Sequence, residues 1–242
     1  MTEQPFIIEA FMRLISGLPI TLSLTAGSVT LGLVLSLCLA AMHRSGILVL
    51  KWTASLYVLL FRGTPLLLQL FLIYYGLGQF RPFLQEYGLW TFFREAYWCG
   101  MAALTLNLAA YLSEIVRGGL IAVPRGQVEA AYACGMSRFQ VLRRIIMPIA
   151  IRQTLPAYGN EIILMVKGTS LVSTITLMDV TGLAAKMASE TYRPIEVFIC
   201  AGAIYLSINL LITRVVQTID WRLTPHLRAA PDTELASEAR GH

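Results

Sequence analysis

The chain has 242 residues, of which 56% are hydrophobic and 14% are charged, and its formal net charge is +5. Soluble domains carry about 25% charged residues, and a mean hydropathy of +0.65 implies more apolar surface than a soluble core can bury. The composition therefore excludes an ordinary soluble domain and indicates a membrane protein. The basic residues lie largely between apolar segments, which favours a topology signal over nucleic-acid binding.

Five apolar segments approach the roughly 17–25 residues that a membrane-spanning helix needs. They cover residues 14–42, 63–80, 96–113, 153–178 and 197–213, and Glu161 and Lys167 interrupt the fourth. A further apolar stretch at 47–61 would cross only about 22 Å of a hydrocarbon core of about 30 Å. We predict that this stretch forms an interfacial helix that ends at a break at Gly63-Thr64-Pro65.

The sequence thus predicts an all-α membrane protein with five transmembrane helices. Most of the 19 Lys and Arg residues lie on one side if the loop between the third and fourth segments is cytoplasmic, as the positive-inside rule expects. This orientation places the N-terminus outside and the C-terminus in the cytoplasm. The predicted parts are an external N-terminal segment (1–13), a transmembrane domain (14–219) with a cytoplasmic loop at about 118–152, and a cytoplasmic tail (220–242).

The cytoplasmic loop is predicted to contain two short helices. Residues 127–134 are rich in alanine, which favours helix, and Gly135 is placed as a left-handed C-terminal stop. Ser137 is placed to cap a second helix, which Pro148 ends or kinks as the chain re-enters the membrane. From composition alone, the loop is either a solvated connector or a docking surface for another protein.

The spacing of the loop residues resembles the signature of bacterial ABC importer permeases, E-A-A-x3-G-x9-I-x-L-P. The one departure is Met147 in place of leucine, a swap that conserves volume. The loop at 118–152 is called the E-A-A loop below. The matching residues are Glu129, Ala130, Ala131, Gly135, Ile145 and Pro148.

This resemblance implies that the E-A-A loop is a coupling helix that docks on a separate ATPase subunit and transmits its closure to the membrane helices. The two alanines allow close approach, and Glu129 offers a charge to a basic partner. None of the three lysines follows a glycine, so the chain has no G-K-[ST] phosphate loop. We expect no cofactor on this chain, because ATP and Mg²⁺ would bind to the partner ATPase.

Other segments resemble the polar amino-acid branch of this family, and in particular its M-type permeases for octopine, nopaline or histidine/arginine/lysine/ornithine. Residues 61–65, 111–119 and 155–161 are similar to recurrent family segments, and 96–99, 165–171 and 200–206 to the opine branch. The resemblance implies a type I (MetI-like) permease fold in the bacterial inner membrane. The implied partners are a homologous Q-type permease subunit, an ATPase dimer and a periplasmic substrate-binding protein.

Glu161 is the main candidate for the substrate pathway, because an ionisable group at membrane depth costs at least about 2.5–3.5 kcal/mol. Lys167 lies six positions further, on a different face of an uninterrupted helix. One interpretation is that Asn160 and Glu161 face a central cavity, where the carboxylate binds an α-ammonium group or a basic side chain. The others are a pair with Lys167 across an unwound Gly168, or a contact with the partner subunit.

Two further groups of polar residues lie within the predicted spans. Asn107, Tyr111 and Glu114 share one face of the third helix. We interpret Asn107 as a cavity residue and Glu114 as the partner of Arg117 in an interfacial ion pair. After a predicted helix break come Lys167, Thr169 and Ser170, which either line a gate or make ordinary interhelical hydrogen bonds.

Two other functions are considered. An intramembrane serine protease needs a base at membrane depth, but His43, His226 and His242 all lie outside the predicted spans. A cluster with metal-ligand spacing is not found in the sequence either. The remaining alternative is a passive channel, or a permease for another small polar solute, and a channel would not need the E-A-A loop.

Overall fold

The structure, a computed structural model, describes residues 6–223, and every regular element in that range is helical. The predicted all-α class is therefore confirmed, while residues 224–242 of the predicted tail lie outside the described part. The α-helices are α1 (Phe6–Ile15), α2 (Leu18–Arg44), α3 (Leu48–Gly63), α4 (Leu66–Phe71), α5 (Leu77–Gln79), α6 (Arg81–Glu86), α7 (Trp90–Phe93), α8 (Ala96–Ile121), α9 (Arg125–Ala133), α10 (Arg138–Val141), α11 (Met147–Gly168), α12 (Val180–Thr191) and α13 (Pro194–Leu223). Two π-helical turns (Leu72–Gly76 and Leu142–Ile146) and a 3-10 helix (Thr169–Ile175) complete the chain.

The main core lies where α2 packs along α8. Leu24, Leu104 and Leu108 are buried in it. The two helices approach closely at Gly32, where a Cβ atom would stand 3.3 Å from Leu108 Cδ2. The buried hydroxyl of Thr25 donates to a carbonyl of its own helix at 2.8 Å. A small residue such as Gly32, and a polar residue such as Thr25 whose hydroxyl bonds within its own helix, therefore allow the close helix contact that is common in membrane proteins.

A second, smaller core is formed by α1, α12 and α13. Because α1 belongs to this core, the predicted first helix is divided in two. Leu14 is buried in α1 and belongs to this core, so the predicted continuous segment 14–42 is interrupted before α2. The interruption lies at Gly17, where a Cβ atom would stand 2.6 Å from the carbonyl carbon of Asp179. An ion pair of 2.7 Å between Arg13 and Glu190 ties α1 to α12.

The predicted break at Gly63-Thr64-Pro65 is confirmed. The axis of α3 and that of segment Leu66–Gln79 differ by 106°. Thr64 is extended, with φ −121° and ψ 147°, because proline disfavours the helical region for the residue before it. The chain therefore leaves α3 and enters α4 through two non-helical residues.

Three helical segments of the described chain are long and apolar enough to cross a membrane: Phe6–Arg44, Ala96–Ile121 and Pro194–Leu223. Two bent pairs raise the number to five if each pair counts as one span. These pairs are Leu48–Gly63 with Leu66–Gln79, and Arg138–Ile175 with Val180–Thr191. The predicted five spans fit this upper number, and the count stays a prediction.

Candidate functional site

A cavity of about 490 Å³ lies beside the break between α3 and α4. Three parts of the chain meet there, namely the break itself, the middle of α8 and the middle of α11. Of the polar residues singled out in the sequence, it brings together Asn107 and Tyr111 from α8 and Glu161 from α11. The lining residues are Arg62, Gly63, Thr64, Pro65, Leu66, Asn107, Tyr111, Glu161, Leu164 and Met165.

A buried glutamine holds one wall of this cavity in place. Gln69 is 5% exposed, and its Nε2 donates to the Phe61 carbonyl at 2.9 Å and to the Thr64 hydroxyl at 2.8 Å. Its Oε1 accepts a hydrogen bond of 3.0 Å from Asn107 Nδ2. The amide pair therefore joins α8 to the break, and Asn107 has a structural role as well as a place in the lining. Sequence analysis missed Gln69, although a lone amide in the run LLLQLF was a signal.

The cavity contains charges of both signs. The Arg62 guanidinium carbon lies 5.2 Å from the centre of the Tyr111 ring, a distance at which the cation is attracted to the ring face. Glu161 is half-buried on the opposite helix. Within residues 6–223, neither Arg62 nor Glu161 forms an ion pair. One carboxylate and one guanidinium are thus left available to a ligand.

The other candidates on α11 lie outside the lining of this cavity. Asn160 and Lys167 are exposed on other faces of the helix, and Lys167 forms no ion pair among the described residues. The chain does not unwind at Gly168 but tightens into the 3-10 helix. The hydroxyls of Thr169 and Ser170 donate to carbonyls three residues back, at 2.7 and 2.6 Å. Thr169 is also fully buried.

The polar face of α8 continues toward its C-terminal end. Glu114 and Arg117 form the predicted ion pair, in which Arg117 Nε lies 3.1 Å from Glu114 Oε1. Of the predicted stripe, Asn107 and Tyr111 therefore face the cavity beside the break, and Glu114 is held by its neighbour on the same helix.

The first helix of the E-A-A loop ends as predicted. Gly135 has a φ of +80°, which glycine adopts without strain. Its N–H donates to the Tyr132 carbonyl at 2.9 Å, and the Met136 N–H donates to the Ala131 carbonyl at 3.1 Å. These two bonds form a Schellman cap at the end of α9. Glu129 and Ala130 are exposed, and Ala131 is buried.

The second helix of the E-A-A loop begins at a capping box. The Ser137 N–H donates to Gln140 Oε1 at 2.8 Å, and Ser137 Oγ accepts from the Gln140 N–H at 3.4 Å. Pro148 does not end this helix, contrary to one of the predicted outcomes. It lies in the first turn of α11, after the π-helical turn, so α10 and α11 follow each other without a loop between them.

A family model of binding-protein-dependent transport system inner membrane components matches residues 28–225. The chain belongs to this family. The resemblance to ABC importer permeases that rests on the E-A-A spacing is thereby confirmed.

Two relatives of this family member are opine permeases. The octopine transport system permease protein OccM of Rhizobium meliloti is 56% identical over 223 residues, which cover 92% of this chain and 91% of OccM. The nopaline transport system permease protein NocM of Agrobacterium fabrum (strain C58) is 54% identical over 92% of each chain. Both are M-type proteins, as the sequence segments indicated.

A solved structure agrees with the fold. The crystal structure of an amino acid ABC transporter with histidines matches with a TM-score of 0.79 at 39% identity, over 92% of this chain and 100% of the solved chain. The described helices therefore have the arrangement of an ABC permease.

Proposed function

We propose that this chain is the membrane-translocation subunit of an ATP-driven importer for a basic amino acid or an opine. The similarity to octopine and nopaline permeases supports this class of cargo. In the proposed topology the chain crosses the bacterial inner membrane five times, with its N-terminus in the periplasm and its C-terminus in the cytoplasm. Its partners are a Q-type permease, two ATPase subunits that bind ATP and Mg²⁺, and a periplasmic binding protein.

The observation that carries the proposal is the cavity with two unpaired charges of opposite sign. Arg62 lines the same cavity but forms no ion pair with Glu161, so a cationic group of the cargo that binds the carboxylate directly would lower the cost of a charge at membrane depth. In the proposed function, Glu161 accepts hydrogen bonds from an ammonium or guanidinium group of the cargo. Arg62, held over the Tyr111 ring, donates to a carboxylate of the same molecule.

Coupling is proposed to run along α11. The helix begins within the E-A-A loop, has Pro148 in its first turn and carries Glu161 about 20 Å further along. A displacement of the loop by the ATPase would therefore move the Glu161 side of the cavity directly. The exposed Glu129 and Ala130 are proposed to contact the ATPase, while the buried Ala131 and the stop at Gly135 are proposed to fix the position of α9.

The decisive experiment is uptake by proteoliposomes that contain the co-purified complex. We expect ATP-dependent uptake of arginine, histidine, lysine, ornithine, octopine or nopaline, and little uptake of glutamine. Uptake of octopine or nopaline and of none of the amino acids would assign this chain to the opine branch of the family. Flux through this chain without ATP or partners would support a channel and contradict the proposal.

The role of Glu161 has its own prediction. Glu161→Gln keeps the side-chain volume but removes the charge, and we expect uptake of a basic cargo to fall at least about tenfold, which corresponds to about 1.4 kcal/mol. Glu86→Gln, an exposed carboxylate of α6, is the matched control and should leave uptake unchanged. Normal uptake kinetics in Glu161→Gln, with the complex assembled, would refute a substrate role.

A further inference from the structure

A second cavity, here called the basic pocket, lies where the end of α2, the start of α3 and the end of α8 meet. Its volume is about 340 Å³, and it shares no lining residue with the cavity that contains Glu161. Its lining combines four basic side chains with a single carboxylate. The polar residues are His43, Arg44, Lys51, Glu114 and Arg117.

The basic pocket has more positive than negative charge. Its one carboxylate, Glu114, is already held by Arg117 at 3.1 Å. Arg44 and Lys51 come from different helices and form no ion pair within the described part of the chain. The basic pocket therefore keeps two uncompensated cations and would attract an anion.

An apolar groove of about 650 Å³ runs along the outer face of α3. The side of α3 that bears Ala54, which is fully buried, packs on the protein. The groove is lined by large apolar side chains that are more than half exposed, and Trp52 among them is of the type enriched at membrane interfaces. These side chains are Leu48, Val49, Trp52, Leu56 and Leu59.

The basic pocket and the apolar groove are neighbours. His43 Nε2 lies 3.1 Å from Ser55 Oγ. His43 lines the basic pocket, Ser55 lines the apolar groove, and both line a third cavity that lies between the two. A single molecule with an anionic end and an apolar end can therefore occupy both features at once.

We propose that the basic pocket and the apolar groove bind one anionic phospholipid, with its phosphate between Arg44 and Lys51 and an acyl chain along the groove. Basic pockets between membrane helices are known to suit anionic head groups. A free phosphate would leave the groove empty, and a zwitterionic lipid would leave the two cations uncompensated. The amphiphilic combination favours the anionic lipid over both.

Native mass spectrometry of the purified complex, titrated with phosphatidylglycerol or phosphatidylcholine, tests the proposal. Each cation near a head group contributes about a fivefold change in affinity, so Arg44→Gln with Lys51→Gln should weaken phosphatidylglycerol binding about 25-fold. Binding of phosphatidylcholine should not change. The matched control, Arg81→Gln with Lys186→Gln, removes the same charge at two exposed positions outside the basic pocket and should keep the lipid.

Three results would overturn the proposal. The first is that the wild type and the Arg44/Lys51 variant bind phosphatidylglycerol with equal affinity. If the double variant does not assemble, the single variant Lys51→Gln is measured in its place. The second is that inorganic phosphate binds as tightly as the lipid and Leu56→Ser with Leu59→Ser has no effect, which would assign the pocket to a free anion. The third is that the Arg44/Lys51 variant loses a protein subunit instead of a lipid, which would identify the surface as a protein interface.

Discussion

The break between α3 and α4 and the E-A-A loop both separate longer helices of the chain, but the polar side chains at the break bond within the chain, whereas the side chains of α9 in the loop are largely exposed. At the break, Gln69 and Asn107 are buried and bond to each other, and Gln69 also bonds the main chain around Thr64. In the E-A-A loop, Glu129 and Ala130 are exposed, and order comes from main-chain caps at Gly135 and Ser137. The geometry of the break is therefore set within this chain, and the exposed side chains of the E-A-A loop are left for the partner that we propose.

This difference predicts two kinds of variant. Substitutions at the break should lower the stability of the complex and uptake together, because buried hydrogen bonds are lost. Substitutions at exposed positions of α9 and at its end should lower uptake with little change in stability, because these side chains are not buried within the chain. The crossing of α8 and α11, which joins the two regions, should lie between these extremes.

Gln69→Leu should have the largest effect on stability. The substitution removes the Gln69 Oε1 acceptor from the buried Asn107 amide, which keeps only its longer bond of 3.3 Å to the Phe61 carbonyl, and weakening the hydrogen bonding of a buried polar group costs about 1–3 kcal/mol. Thermal unfolding of the detergent-solubilised complex and ATP-driven uptake should fall together. Gln85→Leu, at an exposed position of α6, is the control, and equal stability of the two variants would contradict a structural role for Gln69.

A pair of adjacent glycines provides the intermediate case. A Cβ atom at Gly119 would meet the Thr154 side chain and stand 3.1 Å from the Ala150 carbonyl oxygen of α11. Gly119→Ala should therefore destabilise the complex by about 1–3 kcal/mol through overpacking. At Gly118 a Cβ atom meets nothing within 4 Å, so Gly118→Ala should stabilise α8 by up to about 1 kcal/mol. Unfolding midpoints that shift in the same direction would refute this helix contact.

Features that depend on local sequence were predictable. The stop at Gly135, the cap at Ser137 and the break before Pro65 all follow from the conformational preferences of one or two residues. The shared face of Asn107 and Tyr111 follows from the helical period alone. Together with the cost of a charge in an apolar run, which singled out Glu161, the helical period identified three of the cavity residues, but the division of the first segment into α1 and α2 was not predicted.

Features that depend on how helices meet could not be read from the chain. In the sequence, Arg62 was counted only as one of the basic residues that indicate the membrane topology. Its position over the Tyr111 ring depends on the packing of α3 on α8. The role of Gln69 depends on the Asn107 amide, which α8 places within hydrogen-bond distance of it. Thr169 was a pathway candidate, but its hydroxyl bonds within its own helix and its side chain is buried in the fold. Hydrogen bonding to the local backbone competes with any outward role of such hydroxyls.

Gly135→Val should lower the stability of the complex less than Gln69→Leu does and still reduce uptake, which makes it the most direct test of the difference between the two regions. A β-branched residue at φ +80° costs about 1–2 kcal/mol locally, and no other atom lies within 4 Å of the new Cβ. The strain should therefore alter the end of α9 without disturbing the membrane helices.

ATP hydrolysis should persist while ATP-driven uptake falls about fivefold or more. Gly46→Val, which also meets nothing within 4 Å and has no positive φ, should keep both activities. If Gly135→Val instead retains full uptake, the E-A-A loop does not transmit the ATPase motion, and if it unfolds the complex, the loop is not the independent surface that its exposure indicates.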